Sequence, residues 1–207
     1  MTTRRALRET KRLRSRRVRA ILAGGLVLGV GAAVTLAAWN DSEHSSGTFT
    51  ASRFGIVGST NGTAFAEHPS TDPAALSFTV APTAMSPGTT TYALFSVKTT
   101  ATSTVGGKLL LSAGTPTGTG LGSYLRYGVS TITGTTCDGT AFSGGTAVVA
   151  TGSALTVGAA PTVTQAVAAN GGSTVNYCFA VTLPAGTVND AQGLNATQTW
   201  TITGTSD

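Results

Sequence analysis

An all-β fold is what this sequence predicts, and three features of residues 39–207 predict it. Thr, Ser, Gly, Ala and Val dominate that stretch, while charged residues are sparse. β-Branched residues recur there in alternating runs, the pattern of half-buried strands. Turn signals such as Asn61-Gly62, Pro87-Gly88 and Asp138-Gly139 separate the runs. Such a pattern suits a single β-sandwich, jelly-roll or Ig-like Greek key, of roughly 7–10 strands. The expected organisation is a signal peptide over 1–38, a flexible exit segment over 39–47 and the sandwich over 48–207.

Residues 1–19 carry nine Lys/Arg and one Glu, and residues 20–38 carry no charge. A basic n-region followed by an apolar core is the layout of an export signal, and it predicts a signal helix. An apolar helix over 20–38 reaches about 28 Å, close to the thickness of a bilayer core, so an uncleaved leader is the one expected route to a membrane. Against retention, Gly24, Gly25, Gly29 and Gly31 dilute the core. The small residues Ala37 and Ala38, followed by Trp39, mark the expected cleavage region for a signal peptidase. The basic flank stays inside and the rest faces outward through the general secretory route. A twin-arginine reading of Ser15–Ala20 is the alternative address, although Arg19 and Ala20 stand where an apolar pair is expected.

After the polar, acidic exit segment, "TFTASRFGIVG" reads as a strand from Thr48 whose apolar side switches face near Arg53, as a bulge or change of sheet would make it. Asn61-Gly62 predicts a tight turn. Leu76, Phe78 and Val80 alternate with Ser77 and Thr79, predicting a half-buried strand, and strands over Thr91–Thr99 and around Lys108–Ser112 follow. "LGSYLRYGVSTIT" predicts another, from Leu121. Residues 141–160 are Gly-rich and predict one short strand among long loops. "GSTVNYCFAVTLP" is the strongest strand, with Val175, Tyr177, Phe179, Val181 and Leu183 on one apolar face, and it is expected to lie centrally. "TQTWTITGT" closes the chain with Trp200 and Ile202 on one face.

The formal net charge of +5 invites a nucleic-acid reading, but nine of the 13 cations lie in the leader. Residues 39–207 carry four Lys/Arg against seven Asp/Glu, a net −3. A weakly acidic body with scattered cations has no electrostatic footprint for phosphates, which excludes nucleic acid. Both cysteines, Cys137 and Cys178, lie in the body. An even count outside the cell reads first as a bridge, with two buried free thiols as the alternative.

The basic leader, the "LAGGLVLGVGAAVTLAAW" core and the following "WNDSEHSSGTFTASRFGI" resemble the SipW-dependent type of signal peptide, in which an aromatic–Asn/Asp motif follows the apolar core. The chain is similar to TasA/camelysin exported proteins, and more closely to actinobacterial alternate-signal exported proteins. "NYCFAVTLP" and "QGLNATQTWTITGTS" resemble their C-terminal end. The resemblance implies a secreted or cell-surface protein with a structural or adhesive role, and self-assembly into biofilm-matrix fibres. A camelysin-like metallopeptidase is the enzymatic alternative. A monomeric surface module binding through aromatics such as Tyr124 and Trp39 is a third reading.

The peptidase reading finds little support in the residues. His44 and His68 each follow a glutamate, but no H-E-x-x-H occurs and no helix carries one, so neither a metal nor another cofactor is expected. No G-x-S-x-G elbow accompanies the many serines. Leu183–Thr187, "LPAGT", has the wrong order for a sorting signal. Asn61 and Asn195 open glycosylation-type triplets. What remains is a body of backbone and hydroxyl chemistry. Gly47–Val57, near a polar N-terminal stretch, has what a donor strand needs: main-chain hydrogen bonds, and Phe49, Phe54 and Ile56 to fill pockets. The competing expectation is that the same segment is the first strand of its own sandwich.

Overall fold

Helix-favouring Arg, Lys, Leu and Ala carry the N-terminal stretch into one long helix, α1 (Arg4–Val34), despite glycines that each cost about 1 kcal/mol relative to alanine. The structure, a computed structural model, describes residues 4–34, 40–80 and 85–207. Among these, no helix is long and apolar enough to cross a membrane. The expected cleavage region, Ala37, Ala38 and Trp39, lies outside the described residues. The chain divides into two units, Met1–Phe49 and Thr50–Asp207. Residues 40–55 hold neither helix nor strand.

The second unit is the predicted β-sandwich, with eight strands among the described residues: β1 (Ile56–Ser59), β2 (Thr90–Thr99), β3 (Gly107–Ala113), β4 (Arg126–Ile132), β5 (Thr146–Ala154), β6 (Gln165–Val167), β7 (Thr174–Thr182) and β8 (Trp200–Ser206). One sheet runs β1-β2-β7-β4-β5 and the other β6-β3-β8, and every pairing is antiparallel. Except at β1–β2 and β4–β5, consecutive strands change sheet, so the core is closed by contacts distant in sequence. β7 sits at the centre of the larger sheet, as its apolar face predicts, with Phe179 opposite Ala93 on β2 and Val129 on β4.

Side chains at alternate positions share a face, so Tyr177, Phe179 and Val181 point together between the sheets. There they join Leu109 and Leu111 of β3, Val167 of β6 and Val129 of β4 in one buried core. The opposite face of β7 is covered too. Cys178 bonds to Cys137 and clusters with Leu94, Tyr92, Ile132 and Phe142. Phe142 belongs to a short helix, α2 (Gly139–Gly144), where the sequence suggests only a turn. Asp138 caps it, its Oδ1 accepting from the Ala141 N–H at 2.8 Å.

Other departures have equally local causes. Leu76–Val80 forms no strand, because the Thr91 and Thr79 hydroxyls take the place of ladder partners, binding Val80 N–H and Tyr92 N–H at 3.0 and 3.1 Å. Leu121–Ser123 is a 3₁₀ turn, and strand geometry starts only at Arg126. Residues 141–160 contain the nine-residue β5, whose small residues pack because Gly128 leaves room for the Thr151 backbone at a bulge. β6 is only three residues long and was too short for periodicity to reveal.

Tyr177 is wholly buried and its hydroxyl donates to Gln165 Oε1 at 2.8 Å. Burial pushes its pKa above the ordinary value of 10.0, because a phenolate there would lose its water. The folded chain therefore holds the proton more tightly than the unfolded one. This contribution to stability is complete below about pH 10 and declines as pH rises through that value. Tyr177→Phe should flatten the alkaline fall of stability while costing about 1 kcal/mol at pH 7 for the lost hydrogen bond. Denaturant midpoints from pH 7 to pH 11 check this, and an unchanged alkaline slope would refute it.

Candidate functional site

The sequence singles out Phe49, Phe54 and Ile56, and the structure gives them different surroundings. Phe54 and Ile56 belong to the sandwich unit and serve it. Around Phe54 the backbone is held by the β2–β3 connection: Arg53 N–H donates to Thr104 Oγ1 at 2.9 Å, Gly55 N–H to Ser103 Oγ at 3.0 Å, and Thr100 N–H to Gly55 O at 2.9 Å. These bonds replace a strand ladder, which is why β1 starts at Ile56 and not at Thr48. The Phe54 ring lies on backbone left bare by glycines. A Cβ added at Gly107 would come within 2.8 Å of it, and one at Gly204 within 2.9 Å of the ring and 3.0 Å of Ile56. Ile56 packs against the core and pairs with Thr99.

Phe49 is 95% exposed. It lies within a stretch, residues 40–53, in which every residue is exposed and none is in a helix or strand.

The acceptor side of a strand-addition site is a free sheet edge. β1 is four residues long and its outer side bridges Ala66 through reciprocal Gly58–Ala66 hydrogen bonds of 2.9 Å. β6 is shorter still. β5 is long enough, but its register shifts against β4 and Gly152 adopts a φ of 84°. β8, seven residues, is paired only to β3 among the described residues and keeps regular register along it. Its outward side chains Thr201, Thr203 and Thr205 are exposed. Sheet edges are usually blunted by charge, proline or a bulge. β8, "WTITGTS", has no charged residue and no proline.

The remaining candidates do not come together. His44, Glu43, His68 and Glu67 are all exposed, and His68 lies 6.3 Å from the Phe95 ring. Among the described residues no three His, Cys, Asp or Glu side chains converge as a metal site would need. Tyr124 is not the exposed aromatic a binding surface would use: it follows the 3₁₀ turn, is half-buried and packs on the core. Leu183 is buried and Thr187 N–H closes a turn onto Pro184 O. The Cys137–Cys178 bridge is formed, with Cα atoms 5.3 Å apart, and it is compatible with an oxidising exterior. Ser103, Thr104, Gly107 and Gly204, which receive Phe54, carried no sequence signal beyond the presence of two glycines within strands. In comparison with known proteins, the chain matches no protein-family model and no curated protein.

Proposed function

We propose that this protein is exported and works at the cell surface or in an extracellular matrix as a structural, adhesive subunit. In this reading α1 belongs to a leader that a signal peptidase removes near Ala37–Trp39. The stretch ending at Phe49 adds as a strand to the β8 edge of the next copy. The observation that carries it is the pairing of an exposed Phe49 with an unblunted seven-residue edge. Strand addition supplies main-chain hydrogen bonds for affinity, and a pocketed ring supplies register. Because donor and acceptor are different surfaces, copies join head to tail and the assembly grows as an open filament. Catalysis plays no part in this reading.

The packing of Phe54 and Ile56 dictates how to test it. Light scattering on chains starting at Trp39 and at Ala51 removes Phe49 while keeping β1 and its anchors. The longer chain should polymerise and the shorter should stay monomeric with unchanged circular dichroism. Thr203→Lys in the longer chain should also give monomers, by placing a charge on the acceptor edge. Polymers from the Ala51 chain, or monomers from the Trp39 chain, would sink the proposal.

A further inference from the structure

The connection from β3 to β4 and the end of β5 frame a cavity of about 430 Å³, within the roughly 300–1,000 Å³ of small-molecule sites. Among the described residues one charged side chain lines it, that of Arg126 at the start of β4. Arg126 is half-buried, and its Nη1 donates to Ser123 O at 2.9 Å and to Leu125 O at 2.7 Å. These two bonds hold the guanidinium in place. Its Nε–H and Nη2 hydrogens meet no acceptor among the described residues, and no carboxylate there pairs with it. A planar cation anchored through Nη1 and bare along its Nε–Nη2 edge presents the two parallel donors that a carboxylate accepts.

The loop that supplies the rest of the lining is held in one shape. Gly118 and Gly120 adopt φ of 115° and 117°, where a side chain would be strained, and a Cβ at Gly122 would come within 2.6 Å of Pro116. Asn195 pins the same loop: its Oδ1 accepts from Thr119 N–H at 3.1 Å and its N–H donates to Thr119 Oγ1 at 2.7 Å. Thr117 and Thr197 exchange backbone bonds of 2.9 and 2.8 Å. A site fixed before the ligand arrives loses little further order on binding. Glycine backbone in the wall permits close approach by a ligand. The Pro116 ring adds an apolar surface, and Thr117 and Thr156 are exposed hydroxyl-bearing residues of the lining.

We propose that this cavity binds a uronic acid, a sugar ring carrying a carboxylate. The carboxylate lies along the Nε–Nη2 edge of Arg126, a C–H face of the ring rests on Pro116, and the ring hydroxyls meet Thr117, Thr156 and the glycine backbone. The volume leaves room for a ring beyond the carboxylate. One cation suits a monoanion, whereas a phosphate dianion would be left half-compensated. A peptide C terminus carries the same carboxylate but few hydroxyls, so a lining of threonines and bare backbone favours the sugar. The site is independent of strand addition at β8 and needs no assembly.

Methyl glucuronoside, added to the ¹⁵N-labelled full chain, should shift the Gly118, Gly120 and Gly122 amides and the Arg126 Nε–H signal saturably, with a Kd of about 1 mM for a ligand of this size. Reading those signals separates the cavity from the nine cations of the leader. Three controls should each bind at least about ten-fold more weakly: methyl glucoside, the ring without charge; acetate, the charge without the ring; and N-acetyl-dialanine, a peptide C terminus. Arg126→Lys keeps the charge but loses the paired donors and should weaken binding about ten-fold. Thr156 is exposed and outside the strands, so Thr156→Val should leave the spectrum of the free protein largely unchanged and weaken binding about three-fold. The proposal is overturned if methyl glucuronoside gives no saturable shift, or if methyl glucoside or acetate binds as tightly. It is also overturned if N-acetyl-dialanine binds more tightly, since the site would then read a peptide terminus, or if both variants bind like the parent.

Discussion

Phe179→Ala should destabilise the sandwich by about 3–5 kcal/mol, the range for removing a buried aromatic ring from a packed core. Phe179 is 1% exposed on the central strand, and its ring centroid stands 4.9 Å from that of Trp200 on the facing sheet at an interplanar angle of 51°. The loss therefore combines hydrophobic transfer, an unfilled cavity and a tilted aromatic contact between sheets. Both sheets frame this position, so neither can collapse into the hole without disturbing its own ladder. Against a total stability of about 5–15 kcal/mol for a typical domain, this is enough to leave the variant largely unfolded at modest denaturant. Phe49→Ala supplies the contrast: with its ring exposed, it should stay within about 0.5 kcal/mol of the parent. Urea titrations of both variants test the pair. A Phe179 cost below about 1.5 kcal/mol would mean that β7 does not hold the centre of the core.

Long alternation made the centre of the fold legible. β7 runs nine residues with one apolar face, and its face, its centrality and its aromatic contribution to the core could all be read from Val175 to Leu183. β3, with Leu109, Leu110 and Leu111 in a row, was readable as a short apolar run instead. Legibility failed where the decisive partner is a hydroxyl or a backbone atom distant in sequence. Leu76–Val80 alternates as cleanly as β7 does, yet the Thr91 and Thr79 hydroxyls hold it outside the ladder. Asp138-Gly139 looked like a turn and instead caps α2, because Phe142 gains a site beside Tyr92 at a ring distance of 6.1 Å.

The candidate site divides in the same way. The apolar residues Phe49, Phe54 and Ile56 are visible in sequence, but which of them is free is not. Phe54 is claimed by Gly107 and Gly204, some 53 and 150 residues further along. No local pattern announces that match.

Replacing both cysteines by alanine should cost about 2–4 kcal/mol, the usual worth of a bridge closing a loop of this size. The two cysteines are 41 residues apart, and closing such a loop restricts the unfolded chain by about 4 kcal/mol in the entropic account. The folded state adds a second consequence. Cys178 is wholly buried on β7, whereas Cys137 lies in the connection between β4 and β5, just before α2. A six-residue helix is far too short to hold itself together. Without the bridge, α2 is held by its Asp138 cap and by the packing of Phe142 in the cluster with Tyr92, Leu94 and Ile132. The double variant should therefore still unfold cooperatively, through a core that the bridge does not enter, yet be cut by protease first between residues 133 and 145. Dithiothreitol treatment of the parent should reproduce both effects. A stability change under about 1 kcal/mol, or first cleavage elsewhere, would refute this division of labour. If it holds, chain made in a reducing cytosol forgoes a large share of its stability, and the sandwich reaches full strength only where thiols are oxidised.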